Sequence, residues 1–147
     1  MYLLDTNIVS ADAPAKRQVG PEAFATWVRE QGDQLYISTV TIAEIEAGIA
    51  RADRIGATTK AEHLRQWLGA IEHFYAGRIL SFGIEEAREA GAMLDRARAH
   101  DPGFEDIAIA ATAAAHGFTV LTANERHFAP LGVTVINPLK RLPPPPA

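Results

Sequence analysis

Residues 2–7 read Tyr-Leu-Leu-Asp-Thr-Asn, a short apolar run that ends in a carboxylate. The apolar run predicts a short buried strand, and an aspartate directly after such a strand must find water, a partner or a metal ion. Asp5 is also well suited to cap a helix that starts at Thr6, because its side chain can accept an amide hydrogen bond. Both roles stay open at this point, and they are compatible with each other.

The rest of the chain alternates between strand-like and helix-like segments. We predict four further strands, at residues 35–38, 79–82, 118–121 and 133–136. We predict helices that start near Pro21 and at a cap formed by Thr39 or Thr41, and others over 58–75, 84–99 and 105–116. This alternation, without tight hairpin signals, indicates an α/β fold: a mostly parallel sheet of four to five strands covered by helices on both faces.

Apolar residues at helical spacing indicate which face of each helix is buried. In the segment 84–99 these residues are Ala87, Ala90, Met93 and Leu94, which we expect to face the core.

Two more acidic residues occupy the same kind of position as Asp5. Glu44 follows the second predicted strand by about one helical turn, and Asp106 opens an alanine-rich helix. In an open parallel sheet these places lie together at the carboxyl edge of the strands, where ligands bind. Three carboxylates gathered there repel one another unless a cation shares them, which indicates a hard-metal site. Taken singly, Glu44 and Asp106 also fit solvated residues in the first turn of a helix.

The segment 121–125, Leu-Thr-Ala-Asn-Glu, leaves the fourth predicted strand at the same edge. Thr122 and Asn124 could supply neutral oxygen ligands or hydrogen bonds to the acids. An ordinary turn is the alternative, because threonine and asparagine are common in turns.

Composition narrows the class of protein. A length of 147 residues suits one domain, and 48% hydrophobic with 22% charged residues is the balance of a globular chain. The lack of cysteine excludes thiolate catalysis and cysteine-based zinc sites. A net charge of −4 argues against a protein that coats nucleic acid, and the basic residues form only small groups such as Arg51 with Arg54. No apolar stretch reaches the length of a membrane span, so we expect a cytoplasmic protein without membrane contact.

Other chemistries lack their motifs. The five histidines have no metal-binding spacing, no serine lies in a nucleophile elbow, and no glycine-rich phosphate loop occurs. A dehalogenase-type phosphatase needs a second aspartate two residues after the first, where this chain has Asn7. A response-regulator receiver needs an acidic pair after the first strand and a phosphoacceptor aspartate after the third, which residues 80–82 do not provide.

Several segments together resemble PIN-domain ribonucleases, specifically the VapC/FitB-like toxins of type II toxin–antitoxin systems. They are Leu-Leu-Asp-Thr-Asn at 3–7, Ser-Thr-Val-Thr-Ile-Ala-Glu-Ile at 38–45, Ala-Gly-Arg-Ile-Leu at 76–80, Asp-Ile-Ala-Ile-Ala-Ala-Thr-Ala at 106–113 and Leu-Thr-Ala-Asn at 121–124. The likeness runs in order through nearly the whole chain. It implies a three-layer α/β/α sandwich in a single PIN-like domain, residues 1–140, followed by a proline-rich tail, residues 141–147.

The resemblance also implies a catalytic set. Asp5, Glu44 and Asp106 match the acids that bind Mg²⁺, for which Mn²⁺ is a possible substitute. Asn124 completes the set at a place where many PIN nucleases carry a fourth acid. This neutral residue is a departure from the pattern that weakens a second cation site, and Glu125 beside it could compensate.

The implied activity is hydrolysis of RNA by a metal-activated water. Thr6 and Thr122 would position water or phosphate oxygens around it. Members of this branch are toxins that a cognate VapB-like antitoxin holds inactive; they usually form homodimers and cut structured RNA such as tRNA or rRNA. The alternative is a catalytically degenerate PIN-like module that acts only through a protein partner, and Asn124 is the feature that favours it.

Overall fold

The computed structural model describes residues 1–9 and 18–144 of the 147-residue chain. Ser10, the basic pair at residues 16–17 and the end of the predicted tail, residues 145–147, lie outside the described residues.

Five short strands form one parallel sheet with the order β3-β2-β1-β4-β5. The strands are β1 (Tyr2–Leu4), β2 (Leu35–Ser38), β3 (Ile79–Leu80), β4 (Thr119–Leu121) and β5 (Val135–Ile136). β1 is central, and its Leu3 lies opposite Tyr36 on one side and Val120 on the other. With helices on both faces, this arrangement confirms the predicted α/β/α sandwich. β3 is shorter than predicted, because residues 81–82 leave the ladder.

The helices connect these strands in chain order. They are α1 (Thr6–Val9), α2 (Pro21–Glu30), α3 (Thr39–Arg54), α4 (Thr58–Phe74), α5 (Ile84–Arg96), α6 (Phe104–His116) and α7 (Glu125–Phe128). α3 is capped by Ser38, whose hydroxyl accepts the Val40 N–H at 3.0 Å. The prediction of a Thr39 or Thr41 cap was therefore wrong by one to three positions. In the part of the chain that the structure describes, no helix has the length and apolar character needed to span a bilayer.

The alternation of side chains along each strand divides the interior into two hydrophobic clusters. Leu3 and Val120 point to the face covered by α5 and α6. Leu4 and Leu121, one residue further along the same strands, point to the face covered by α2, α3 and α4. Both faces of the sheet are buried, which explains why the strands are continuously apolar rather than alternating.

Helix α5 buries a narrower stripe of apolar side chains than the helical spacing of these residues predicts. Ala90 and Met93 are buried, but Ala87 is exposed and Leu94 is 42% exposed. Successive residues of a helix are about 100° apart, so Leu94 is rotated away from the contact that Met93 makes with α6. The expectation that Ala87 and Leu94 face inward was wrong, because the spacing alone leaves the width of the buried stripe undetermined.

The first part of the predicted proline-rich tail lies against the domain. Leu142 packs on the cluster that contains Leu4, and Pro143 is buried. The chain therefore stays in contact with the core as far as Pro143.

The difference between Met93 and Leu94 gives a stability test. Met93→Ala should lower the free energy of unfolding by about 2–5 kcal/mol, because it leaves a cavity between α5 and the sheet. Leu94→Ala, the matched neighbour, should cost less than about 1 kcal/mol. Urea unfolding followed by circular dichroism measures both, and equal losses for the two variants would contradict the assigned stripe.

Candidate active site

Asp5 is held rigidly at the end of the central strand. Its backbone N–H continues the sheet by donating to Leu121 O at 2.9 Å. Its carboxylate is only 6% exposed. Oδ1 accepts the Thr6 N–H and Oδ2 accepts the Thr122 hydroxyl, each at 2.8 Å. Asp5 therefore accepts a hydrogen bond at the start of α1, and its carboxylate lies at the sheet edge where the sequence predicts the metal site.

Thr122 links the two loops that meet at this edge. While its hydroxyl donates to Asp5, it accepts the Asn124 N–H at 3.0 Å and the Asn7 side-chain amide at 3.4 Å. Asn7 in turn accepts the Ala123 N–H at 3.2 Å. This bridge could not be found from the sequence, because the partner of Asn7 lies more than a hundred residues away.

Glu44 lies in the second turn of α3. The alternative interpretation, a solvated residue in the first turn of the helix, placed it one turn too early. Its Oε1 accepts the Thr6 hydroxyl at 2.8 Å. The Thr6 oxygen is also 3.0 Å from the buried Thr41 hydroxyl. Because Thr6 gives its only hydroxyl proton to Glu44, Thr41 must be the donor in that second bond. Thr41 thus supports Glu44 through Thr6, a role that its sequence position did not reveal.

Asp106 lies in the first turn of α6 with its side chain 26% exposed. Its Oδ2 is 3.3 Å from Nδ1 of His127, which α7 contributes. His127 is a second residue that the sequence analysis missed, because the spacing of the histidines carries no information about a contact with α6.

The structure places the two remaining candidates at the margin of this group. Asn124 is exposed and contacts the site through its backbone N–H, which Thr122 accepts. Glu125 begins α7, and its Oε2 accepts a hydrogen bond from Lys140 Nζ at 2.7 Å. The carboxylate of Glu125 is therefore engaged by the C-terminal segment.

The pKa values of Asp5 and Glu44 depend on burial and on the charges of neighbouring acids. Burial raises the pKa of Asp5, against the hydrogen bonds from Thr122 and Thr6, and the charge of Asp106 raises it further. Burial is also the largest cause of the raised pKa of Glu44, to which the charges of Asp5 and Asp106 add.

The pKa of Asp106 is also raised. Burial raises its pKa, the nearby His127 opposes this, and the charge of Glu105 adds to it. Carboxylates that carry raised pKa values through burial and mutual repulsion mark a place where a cation is favoured.

The donor set fits a partly hydrated hard cation rather than an enclosed metal cage. Within residues 1–9 and 18–144, no three acidic, histidine or cysteine side chains lie close enough together to surround a metal ion. Mg²⁺ commonly keeps several waters and binds through only one or two carboxylates. Asp5, Glu44 and Asp106 offer carboxylate oxygens of the kind that Mg²⁺ would take as ligands.

The PIN domain family model matches residues 2–132, which include all three acids. This chain belongs to the PIN domain family. It is 37% identical over 143 residues to plasmid stability protein StbB of Pseudomonas syringae pv. tomato, with 94% of this chain and 98% of that protein covered. It is 32% identical to VapC ribonuclease Y4jK of Sinorhizobium fredii, with 94% and 97% covered.

Solved structures agree with the sequence relatives. FitAcB from Neisseria gonorrhoeae superposes with a TM-score of 0.70 and 30% identity, over 94% of this chain and 98% of that one. The predicted resemblance to VapC/FitB-like PIN domains is thereby confirmed.

The hydroxyl of Thr122 is the first feature of the site to test. Thr122→Val should cost about 1–3 kcal/mol of stability, because the Asn124 N–H and the Oδ2 oxygen of Asp5 both lose the hydroxyl to which they bond. Thr112→Val is the matched control: Thr112 is equally buried, but its hydroxyl bonds to Ala108 O within its own helix, α6. That carbonyl keeps its helical hydrogen bond, so the control should cost less than about 1 kcal/mol. Thermal unfolding measures the stability of both variants. A larger loss of stability in Thr112→Val than in Thr122→Val would contradict the linking role of Thr122.

Proposed function

We propose that this protein is a Mg²⁺-dependent endoribonuclease, the toxin of a VapBC-type toxin–antitoxin module. The observation that carries the proposal is the meeting of Asp5, Glu44 and Asp106 at the carboxyl edge of the sheet, where burial raises the pKa of each acid and the charge of Asp106 adds to the raised pKa of the other two. Two relatives support the proposal by their names, VapC ribonuclease Y4jK and toxin FitB, each 32% identical to this chain.

In the proposed reaction, Asp5, Glu44 and Asp106 would hold the cation, with Mn²⁺ as a possible substitute. When bound, Mg²⁺ lowers the pKa of a water and offsets charge on the scissile phosphate. Asp5 or Asp106 would orient the attacking water and accept its proton.

The neighbouring residues keep these carboxylates in place. Thr6 directs one oxygen of Glu44, Thr122 directs one oxygen of Asp5, and His127 contacts Asp106. Positioning of this kind matters for catalysis because small displacements of a reacting group cost large factors in rate. Asn124 and Glu125 border the same edge, where Asn124 would offer a neutral oxygen to substrate or water.

The proposal extends to partners. A cognate VapB-like antitoxin would hold the toxin inactive, and the chain would act as a homodimer on structured RNA such as tRNA or rRNA, in the cytoplasm. Solved relatives that carry the names FitAcB and FitAB support an antitoxin partner. The competing function is a degenerate PIN-like module without catalysis. The neutral Asn124 favours that alternative, whereas the presence of all three acids at the sheet edge favours the nuclease.

Cleavage of RNA separates these two functions. Protein purified free of any partner should cut total cellular RNA into discrete fragments in Mg²⁺ or Mn²⁺, and EDTA should stop the reaction. Asp106→Asn should lower the rate by at least about 100-fold, the loss expected when a metal-binding charge is removed. Asp95→Asn, an exposed aspartate of α5, serves as the matched control and should retain full activity. Full metal-dependent activity in Asp106→Asn would refute the assigned site.

The raised pKa values predict how metal binding depends on pH. An acid with a raised folded-state pKa destabilises the ion-free protein as the pH rises from its ordinary value, 3.8 for Asp5 and Asp106 or 4.5 for Glu44, through the folded-state pKa. Bound Mg²⁺ offsets this loss, and protons compete with it. The rise in melting temperature caused by Mg²⁺ should therefore be larger at neutral pH than near the ordinary pKa values.

Differential scanning fluorimetry over this pH range measures the effect. Asp106→Asn should remove most of the Mg²⁺-dependent rise, while Asp95→Asn should keep it. A rise that does not change with pH would show that carboxylates do not hold the ion.

A further inference from the structure

A cleft of about 440 Å³ between α3 and α4 opens directly onto the candidate active site. Thr6 and Glu44 line its inner end, while Arg51 and Lys60 line it further out. Any molecule that fills the cleft therefore lies beside Glu44. Neither the PIN fold nor the three acids accounts for the residues at its outer end.

The spacing along α3 places Glu44 and Arg51 on the same side of the cleft. Glu44, Gly48, Arg51 and Ile55 recur at intervals of three and four residues, so they share a helix face. Arg51 lies seven residues from Glu44, which is about 10 Å along the helix axis. Stacked nucleotides rise about 3.4 Å each along one strand, so this length corresponds to roughly three nucleotides.

The two basic side chains are available for phosphate. Neither Arg51 nor Lys60 forms an ion pair with any described residue. Arg65 on α4, by contrast, is paired with Asp53. Unpaired cations that line a concave surface raise the local concentration of an anionic chain.

The walls between these charges are apolar and include an indole. Trp67 is half-buried and lines the cleft together with Leu64. An aromatic ring next to basic side chains is the combination that binds single-stranded nucleic acid, because bases stack on the ring while cations contact the phosphates.

We propose that this cleft is a subsite for single-stranded RNA adjoining the scissile phosphate, in which Arg51 and Lys60 contact phosphates and Trp67 stacks on a base. The inference rests on the proposed nuclease function and deepens it. An acidic peptide is the competing occupant. Trp67 favours RNA over such a peptide, because its ring offers a stacking surface for a base, which an acidic peptide lacks.

Steady-state cleavage of a short single-stranded RNA tests the two cations. The double variant Arg51→Gln/Lys60→Gln should raise KM about 10-fold with kcat nearly unchanged, because the lost contacts lie away from the reacting atoms. Each lost phosphate contact should also flatten the dependence of log KM on log salt concentration by about 0.7. Arg54→Gln is the matched control, since Arg54 is exposed on the same helix and does not line the cleft.

Tryptophan fluorescence supplies a readout that does not depend on cleavage. The chain has two tryptophans, so Trp27→Phe leaves Trp67 as the only indole. Titration of this variant with a short oligouridylate in EDTA should quench the emission of Trp67. Adding Arg51→Gln/Lys60→Gln should weaken the apparent affinity about 10-fold, and adding Arg54→Gln should leave it unchanged.

The outcomes separate the subsite from the nuclease function. If the double variant cleaves RNA with the same KM and the same salt dependence as Arg54→Gln, the subsite is overturned and the nuclease function stays intact. Quenching by oligouridylate without cleavage in either metal would support the subsite and count against the nuclease. Quenching by polyglutamate but not by oligouridylate would overturn the proposal in favour of a protein partner.

Discussion

The pairing of β1 with β2 on one side and β4 on the other positions every principal group of the site. Because β1 is central and buried on both faces, the carboxylate that follows it emerges at the sheet edge with little water around it. Burial of a charge is costly unless polar partners receive it, and Thr6 and Thr122 provide them. The ladder that builds the core thus also determines where Asp5 stands.

A network of small polar side chains extends this constraint to the neighbouring elements. Thr122 and Asn7 join the loop after β4 to the start of α1, and Thr6 with Thr41 joins α1 to α3. These are neutral hydroxyl and amide groups, so they orient the carboxylates without cancelling their charge. Much of the mutual repulsion of the acids therefore persists, and it is what a bound cation would relieve.

Helix α3 contributes both to the core and to the candidate site. One face of α3 packs Ile45 and Ile49 into the core. An adjacent face carries Glu44 towards the other acids and Arg51 towards the cleft between α3 and α4. A substrate strand on that face would meet positive charge before it reaches the carboxylates. Catalysis and substrate binding would then depend on the same helix, which is anchored to the sheet by the Ser38 cap.

The sequence alone determined the order of strands and helices, the parallel sheet and the positions of Asp5, Glu44 and Asp106 at its edge, because apolar periodicity and strand ends are local signals. The PIN resemblance, carried by several short motifs, was equally accessible. Tertiary structure decided what depends on distant partners: the bonds of Asn7 and Thr41, the contact of His127 with Asp106, the pairing of Glu125 with Lys140, and the exposure of Leu94. The contacts among these features join different segments of the chain. The spacing of residues within one segment does not encode which side chains meet when two layers pack together.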